Sequence, residues 1–179
     1  MLPLPFRRGG LRTTAVAAVT AVAASAPATS ATPSCSSQRA ADGAATLVLR
    51  RLNAVRAEHG APRLRIDRTL ARVARRHSRD MVRHRYFAHD SRSGARFSAR
   101  IAHSGWMGGR RRWKVGENLA WGTGCSATAA SIMAAWLRSP AHRHVLLDPG
   151  YRVVGIGVAR GTPVAGGHSG LTYTTDFGS

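Results

Sequence analysis

The sequence predicts an α+β fold in which helices pack on a small, mainly antiparallel sheet. Three observations lead there. Apolar residues recur at helical spacing along residues 44–59 and 70–81. Val115-Gly-Glu-Asn-Leu-Ala-Trp121 alternates in the manner of a strand. Two β-rich segments near the C-terminus, Tyr151–Ala159 and Leu171–Phe177, flank a Gly/Pro-containing loop and read as a hairpin.

The elements follow in order. Val48, Leu49, Leu52 and Val55 share one face of a first helix, and Gly60 with Pro62 closes it. Asp67 is placed to cap a second helix. Leu70, Val73, Ala74, His77 and Met81 form its apolar stripe, and Arg72, Arg75, Arg76, Arg79 and Arg83 its basic one. His77 on the apolar stripe reads as a hydrogen-bonded core histidine. A loop follows from Arg85 to Ser91, then a short helix from Phe97 to Ser104, closed by Gly105. Residues 106–114 are rich in Gly and Arg and read as an exposed loop. Ser126 or Thr128 caps a further helix that turns Ile132, Met133, Trp136 and Leu137 inward. Ser139-Pro140 restarts a helix, with Ser as N-cap and Pro at the first helical position. Asp148-Pro149-Gly150 is a turn.

The length of 179 residues suits one domain, and 44% apolar residues suffice for a packed core. The formal charge is +19, from 27 basic and 8 acidic residues, and Lys114 is the one lysine. Residues 1–31 read as an export signal, with Arg7, Arg8 and Arg12 before a short Ala/Val run and small residues at 29–31. That run is too short to span a bilayer, so no transmembrane segment is expected in the processed chain. Residues 32–43 read as a loose leader, and residues 44–178 as the domain. Removal of Arg7, Arg8 and Arg12 lowers the charge from +19 to +16. In an oxidising compartment the two cysteines, Cys35 and Cys125, are expected to pair.

Such a field attracts polyanions, and outside a cell these are envelope polymers and anionic lipid headgroups. Arg110-Arg-Arg-Trp-Lys114 is a second basic feature. A solvated, compositionally biased surface accounts for the same pattern. No motif for specific nucleic-acid recognition is present.

Three residues stand out chemically. His89 lies where a helix breaks, Glu117 sits inside an apolar strand, and His142 sits in the first turn of a helix. Two imidazoles and a carboxylate suit zinc with an open position for water. The same set serves as general acid and base without metal, or as a buried acid satisfied by hydrogen bonds. Ser91 near His89 is a candidate nucleophile, though a loop-capping hydroxyl explains it as well.

Four ordered motifs complete the reading: Tyr86-Phe-Ala-His89-Asp-Ser, Gly116-Glu-Asn118, Trp136-Leu-Arg-Ser-Pro-Ala-His-Arg143 and Val154-Gly-Ile-Gly-Val158. Together they resemble the signatures of the CAP superfamily, which includes cysteine-rich secretory, venom-allergen and pathogenesis-related proteins. The bacterial secreted branch, with its SPxHR-type motif and a terminal DFG-type strand (here Asp176-Phe177-Gly178), is most similar. The resemblance implies an α–β–α sandwich with an open cleft holding two His and two Glu able to bind a divalent ion. His89, Glu117 and His142 match three of the four, and Ser139 stands where the second Glu would be. The expected function is a secreted binding module with a His/Glu cleft and a basic surface for anionic envelope polymers or lipids. A metal-assisted hydrolase with Glu117 as base, and a scaffold with a vestigial site, remain as alternatives.

Overall fold

The computed structural model describes residues 43–165 and 169–179. The expected signal, nearly all of the leader, and Cys35 lie outside the described residues. Among the described residues ten elements follow in the order α1 (Ala44–Glu58), β1 (Arg65–Ile66), α2 (Arg68–His84), α3 (Phe97–His103), β2 (Val115–Thr123), a 3-10 turn (Gly124–Ala127), α4 (Ala129–Arg138), α5 (Pro140–Leu147), β3 (Val153–Arg160) and β4 (Gly170–Gly178). The sheet order is β1-β3-β4-β2. β4 is antiparallel to both β3 and β2 along its length.

The two-residue β1 was not foreseen. It runs parallel to β3, with Arg65 beside Val153 and Ile66 beside Val154. So short a run between Pro62 and Asp67 carries no periodicity, and only the neighbouring strand makes it one. Asn53 of α1 fixes the approach, since its amide donates to the Leu64 carbonyl at 3.0 Å and its oxygen accepts from the Leu64 amide at 2.8 Å.

Alternation along β3 explains the Val-Gly-Ile-Gly run. Val154 and Ile156 enter the main core with Val48, Leu52, Trp136, Leu146, Tyr173 and Phe177. Gly155 and Gly157 face α2 instead, because successive residues of a strand point to opposite faces. A Cβ on Gly155 would lie 2.1 Å from the Leu70 carbonyl carbon, and one on Gly157 2.2 Å from that of Ala74. The α2 backbone therefore rests directly on the sheet. Ser78 ties the layers together: its hydroxyl donates to the Gly157 carbonyl at 3.2 Å and lies 2.8 Å from Thr174 Oγ1.

On the other face lie α1, α4 and α5, so helices cover both sides of the sheet. Trp136 Nε1 donates to the Leu119 carbonyl at 2.8 Å, and Tyr173 OH to that of Ala127 at 2.6 Å. Arg56 is fully buried in this layer. Its guanidinium donates to the carbonyls of Pro62 at 2.8 Å, Leu146 at 2.6 Å and Asp148 at 3.1 Å. Burial, the largest influence, pulls its pKa below the ordinary arginine value.

Two expectations need correction. Trp106 is not in an exposed loop but buried with Leu70 and Ile101 in a second, smaller core. Asp67 makes this possible: Oδ1 caps α2 through the amides of Thr69 and Leu70, and Oδ2 accepts from Trp106 Nε1 at 2.9 Å. A large indole with its N–H satisfied gains more from burial than its polar surroundings in the sequence suggest. Ser139 occupies the N-cap position of α5, but its hydroxyl caps no backbone amide. Its Oγ lies 2.8 Å from His142 Nδ1 instead, one turn along. Thr128, not Ser126, caps α4, accepting from the Ser131 amide.

Close helix–sheet contact at Gly157 gives a direct test. Gly157→Ala forces α2 away from β3 and should cost about 1–3 kcal/mol, as overpacking usually does. Thermal unfolding should fall by roughly 2–10 °C for a domain of this size. An unchanged Tm would show that α2 does not rest on the strand.

Candidate functional site

The site assembles around β2, an edge strand of the sheet. α2 ends at Arg85, which adopts the left-handed conformation (φ 54°) and turns the chain into the His89 loop. His77 secures that loop. Its ring is buried within α2's apolar stripe, and Nε2 donates to the Ala88 carbonyl at 2.9 Å. The core-histidine reading thus describes its packing, while its bond positions the residue next to His89. Burial holds the His77 pKa below its ordinary value.

Glu117 lies on β2 with its side chain fully buried. Both of its oxygens are engaged. Oε1 is 2.9 Å from His89 Nδ1, and Oε2 accepts from Arg100 Nη2 at 2.5 Å. Arg100, on α3, also donates through Nη1 to the His89 carbonyl at 2.5 Å and to Ser91 Oγ at 3.4 Å. Ser91 is thereby tied to α3 through the Arg100 side chain. One guanidinium gathers the carboxylate, the histidine loop and the serine.

A second acid completes the cluster. Asp176 of β4 lies opposite Glu117 in the strand register and is wholly buried. No donor reaches either Asp176 oxygen among the described residues. Burial first, then the charge and hydrogen bond of Glu117, push its pKa well above the carboxylate range, with Arg100 opposing. Both influences favour the protonated form of Asp176, while the oxygens of Glu117 beside it face His89 and Arg100.

His142 reaches this strand from the opposite layer. Neighbouring residues of β2 point to opposite faces, so Asn118 turns toward α5 and donates to the His142 carbonyl at 3.1 Å. The His142 ring pairs with Ser139. Burial and then the charge of His89 lower its pKa. His89 moves the other way: its bond to Glu117 raises its pKa, with burial opposing.

The structure thus joins His89 directly to Glu117 and directs the His142 ring to Ser139. Among the described residues no group of three His, Cys, Asp or Glu side chains stands close enough together to hold a metal ion. The charge balance agrees, because the cation against Glu117 is the Arg100 guanidinium. Sequence reasoning missed Arg100 and Asp176. Arg100 was hidden by an Arg-rich composition, and Asp176 was noted only as part of the terminal Asp-Phe-Gly run.

An α–β–α sandwich with an acid–histidine cluster on its edge strand defines the class of protein. The Cysteine-rich secretory protein (CAP) family profile matches residues 49–174, and the chain belongs to that family. Two Bacillus subtilis proteins are each 32% identical to it. YlbC, described as a membrane protein, aligns over 60% of this chain and 29% of its own. YkwD aligns over 70% of this chain and 43% of its own. The chain therefore spans less than half the length of these relatives. Among solved structures, an extracellular SCP-domain protein from Bacillus anthracis is 28% identical, with a TM-score of 0.61 over 76% of this chain and 40% of that one. An outer surface protein from Borrelia burgdorferi shares the fold at 21% identity and TM-score 0.61, over 75% of this chain and 90% of that one. No helix among the described residues is long and apolar enough to cross a membrane.

Histidine titration by NMR tests the electrostatics. The His89 midpoint should lie above 6.5, and those of His77 and His142 below it. Glu117→Gln should bring His89 back toward 6.5. The raised His89 contributes stability that is fully present below pH 6.5 and is lost as pH rises through its folded value. His77 has the opposite sign: its lowered folded pKa makes stability decline as pH falls below 6.5. A common midpoint for all three would contradict the cluster.

Proposed function

We propose that this chain is an exported CAP-domain binding module for anionic components of the cell envelope, and that its His/Glu cluster acts without a divalent ion. The observation that carries this reading is the double engagement of Glu117. A metal-assisted hydrolase needs a carboxylate free to take a proton from a metal-bound water. Glu117 instead has one oxygen on His89 and the other on Arg100, behind a fully buried side chain. Arg100 supplies internally the positive charge that a metal would bring. The cluster then locks the His89 loop to α3 and β2, giving a rigid surface beside the basic helix.

Export is supported by the signal-like residues 1–31 and by the extracellular and outer-surface character of the similar solved proteins. Basic character supports an anionic partner: Arg72, Arg75, Arg76, Arg79 and Arg83 are all exposed along α2. We propose in addition that Cys35 pairs with Cys125, the latter carried on the 3-10 turn after β2. Closing so long a loop contributes about 4–5 kcal/mol in the chain-entropy treatment. Thiol labelling of the unfolded protein should add two labels only after reduction. Equal labelling without reductant would exclude the bond.

Zinc calorimetry tests the metal-free reading. The parent should show no stoichiometric binding at neutral pH. Arg100→Ala should raise zinc affinity by about tenfold or more, since a unit charge near 4 Å is worth several kcal/mol at an effective dielectric near 20. Tight one-to-one binding by the parent, abolished in His89→Ala/His142→Ala, would restore the hydrolase reading.

A further inference from the structure

We infer that the cavity between α2 and α3 is a recognition site for an anionic polyol, a unit that bears hydroxyls beside a phosphate or carboxylate. This inference rests on the binding-module reading and assigns it a place and a ligand chemistry. The cavity has a volume of about 660 Å³, within the range of small-molecule sites. Arg72, Arg76, His77 and Asp80 of α2 and Arg100 and His103 of α3 line it. It adjoins the acid–histidine cluster through Arg100, and His89, Glu117 and His142 are not among its walls.

Its polar groups set two demands. Arg72 and Arg76 are one turn apart on the exposed face of α2, and their forked donors suit a bidentate oxyanion. Arg100 also lines the cavity, and its buried Nε has no hydrogen-bond partner among the described residues. Anion binding accounts for these three. The second demand is for a donor. His77 is 2% exposed, and its Nδ1 has no partner among the described residues. Because Nε2 donates to the Ala88 carbonyl, the neutral ring presents Nδ1 as a lone pair. Burial leaves such an acceptor costly until an O–H or N–H meets it. Asp80 is another acceptor on the same wall, with Tyr86 OH at 2.5 Å and His84 Nδ1 at 2.8 Å already on it. A bare oxyanion answers the arginines and repels both acceptors. A hydroxylated anion answers both demands. An acyl chain answers neither, and Val73 is the one aliphatic side chain among the lining residues.

The position on α2 supplies an internal control. Arg75 and Arg79 are exposed on the same helix but do not line the cavity. Arg72→Gln/Arg76→Gln and Arg75→Gln/Arg79→Gln thus remove equal charge from one helix, and only the first pair touches the site. The probes are a glycerol phosphate oligomer, a glucuronate oligomer, inorganic phosphate and neutral glycerol, titrated at fixed ionic strength. The parent should bind at least one oligomer. The cavity double variant should lose tenfold or more in affinity and the control double variant less than threefold. The 15N shift of His77 Nδ1 in the parent should move with the oligomer and stay unmoved with inorganic phosphate. The stronger oligomer identifies the anion as phosphate or carboxylate. Equal losses in the two double variants would overturn the site and leave only attraction by the basic field. Competition by inorganic phosphate as effective as that of the oligomer, without a His77 shift, would overturn the polyol assignment. A parent that binds neither oligomer would overturn this inference together with the binding-module reading.

Discussion

Contact between the α2 backbone and β3 is the constraint on which the rest of the structure depends. Gly155 and Gly157 leave no side chain between helix and strand. Two consequences follow from that approach. His77, on the face turned to the sheet, reaches the Ala88 carbonyl and ties the following loop to the helix. Ser78 reaches a carbonyl of β3 and a hydroxyl of β4 across the same seam. With side chains at the two glycines, helix and loop would stand off together, and His89 would lose its reach to Glu117.

Charge within the layer is balanced by composition as well as by geometry. The cluster contains two acids side by side, and a buried pair of carboxyls cannot both ionise. Asp176, on an interior strand, is wholly buried, and burial beside Glu117 raises its pKa. Glu117, on the edge strand, meets Arg100 and His89 from the neighbouring segments. Arg56 plays a comparable part in the other layer. There a buried guanidinium gathers carbonyls from the end of α5 and the turn after it, groups that a helix end leaves without internal partners. In a chain with one lysine, arginine serves as internal fastening as well as surface charge.

Much of this was legible beforehand. Periodicity set the helices and the long strands within a residue or two, and the Asp67 cap and the β3–β4 hairpin needed only local rules. Three of the site residues were visible as chemistry in unusual places. His89–Glu117 proved to be a direct contact, because a loop after α2 and a strand beside β4 are brought to one face of the sheet. His142 was legible as a residue type, but its partner was not. Ser139 read as a helix cap, and in the fold the ring three residues on takes its hydroxyl.

Sequence by itself determined the element types and the amphipathic basic helix, because these rest on spacing within single elements, and its four ordered motifs carried the family resemblance that implied the α–β–α layering. Tertiary structure alone decided which arginine faces which acid. Arg100 and Glu117 are 17 residues apart in the chain, and Glu117 and Asp176 meet only through the β2–β4 register. No local pattern distinguishes Arg100 from the exposed arginines of α2. The distinction is burial next to a carboxylate: an ion pair taken out of water must be closed by its own partners, and only the folded chain brings those partners together.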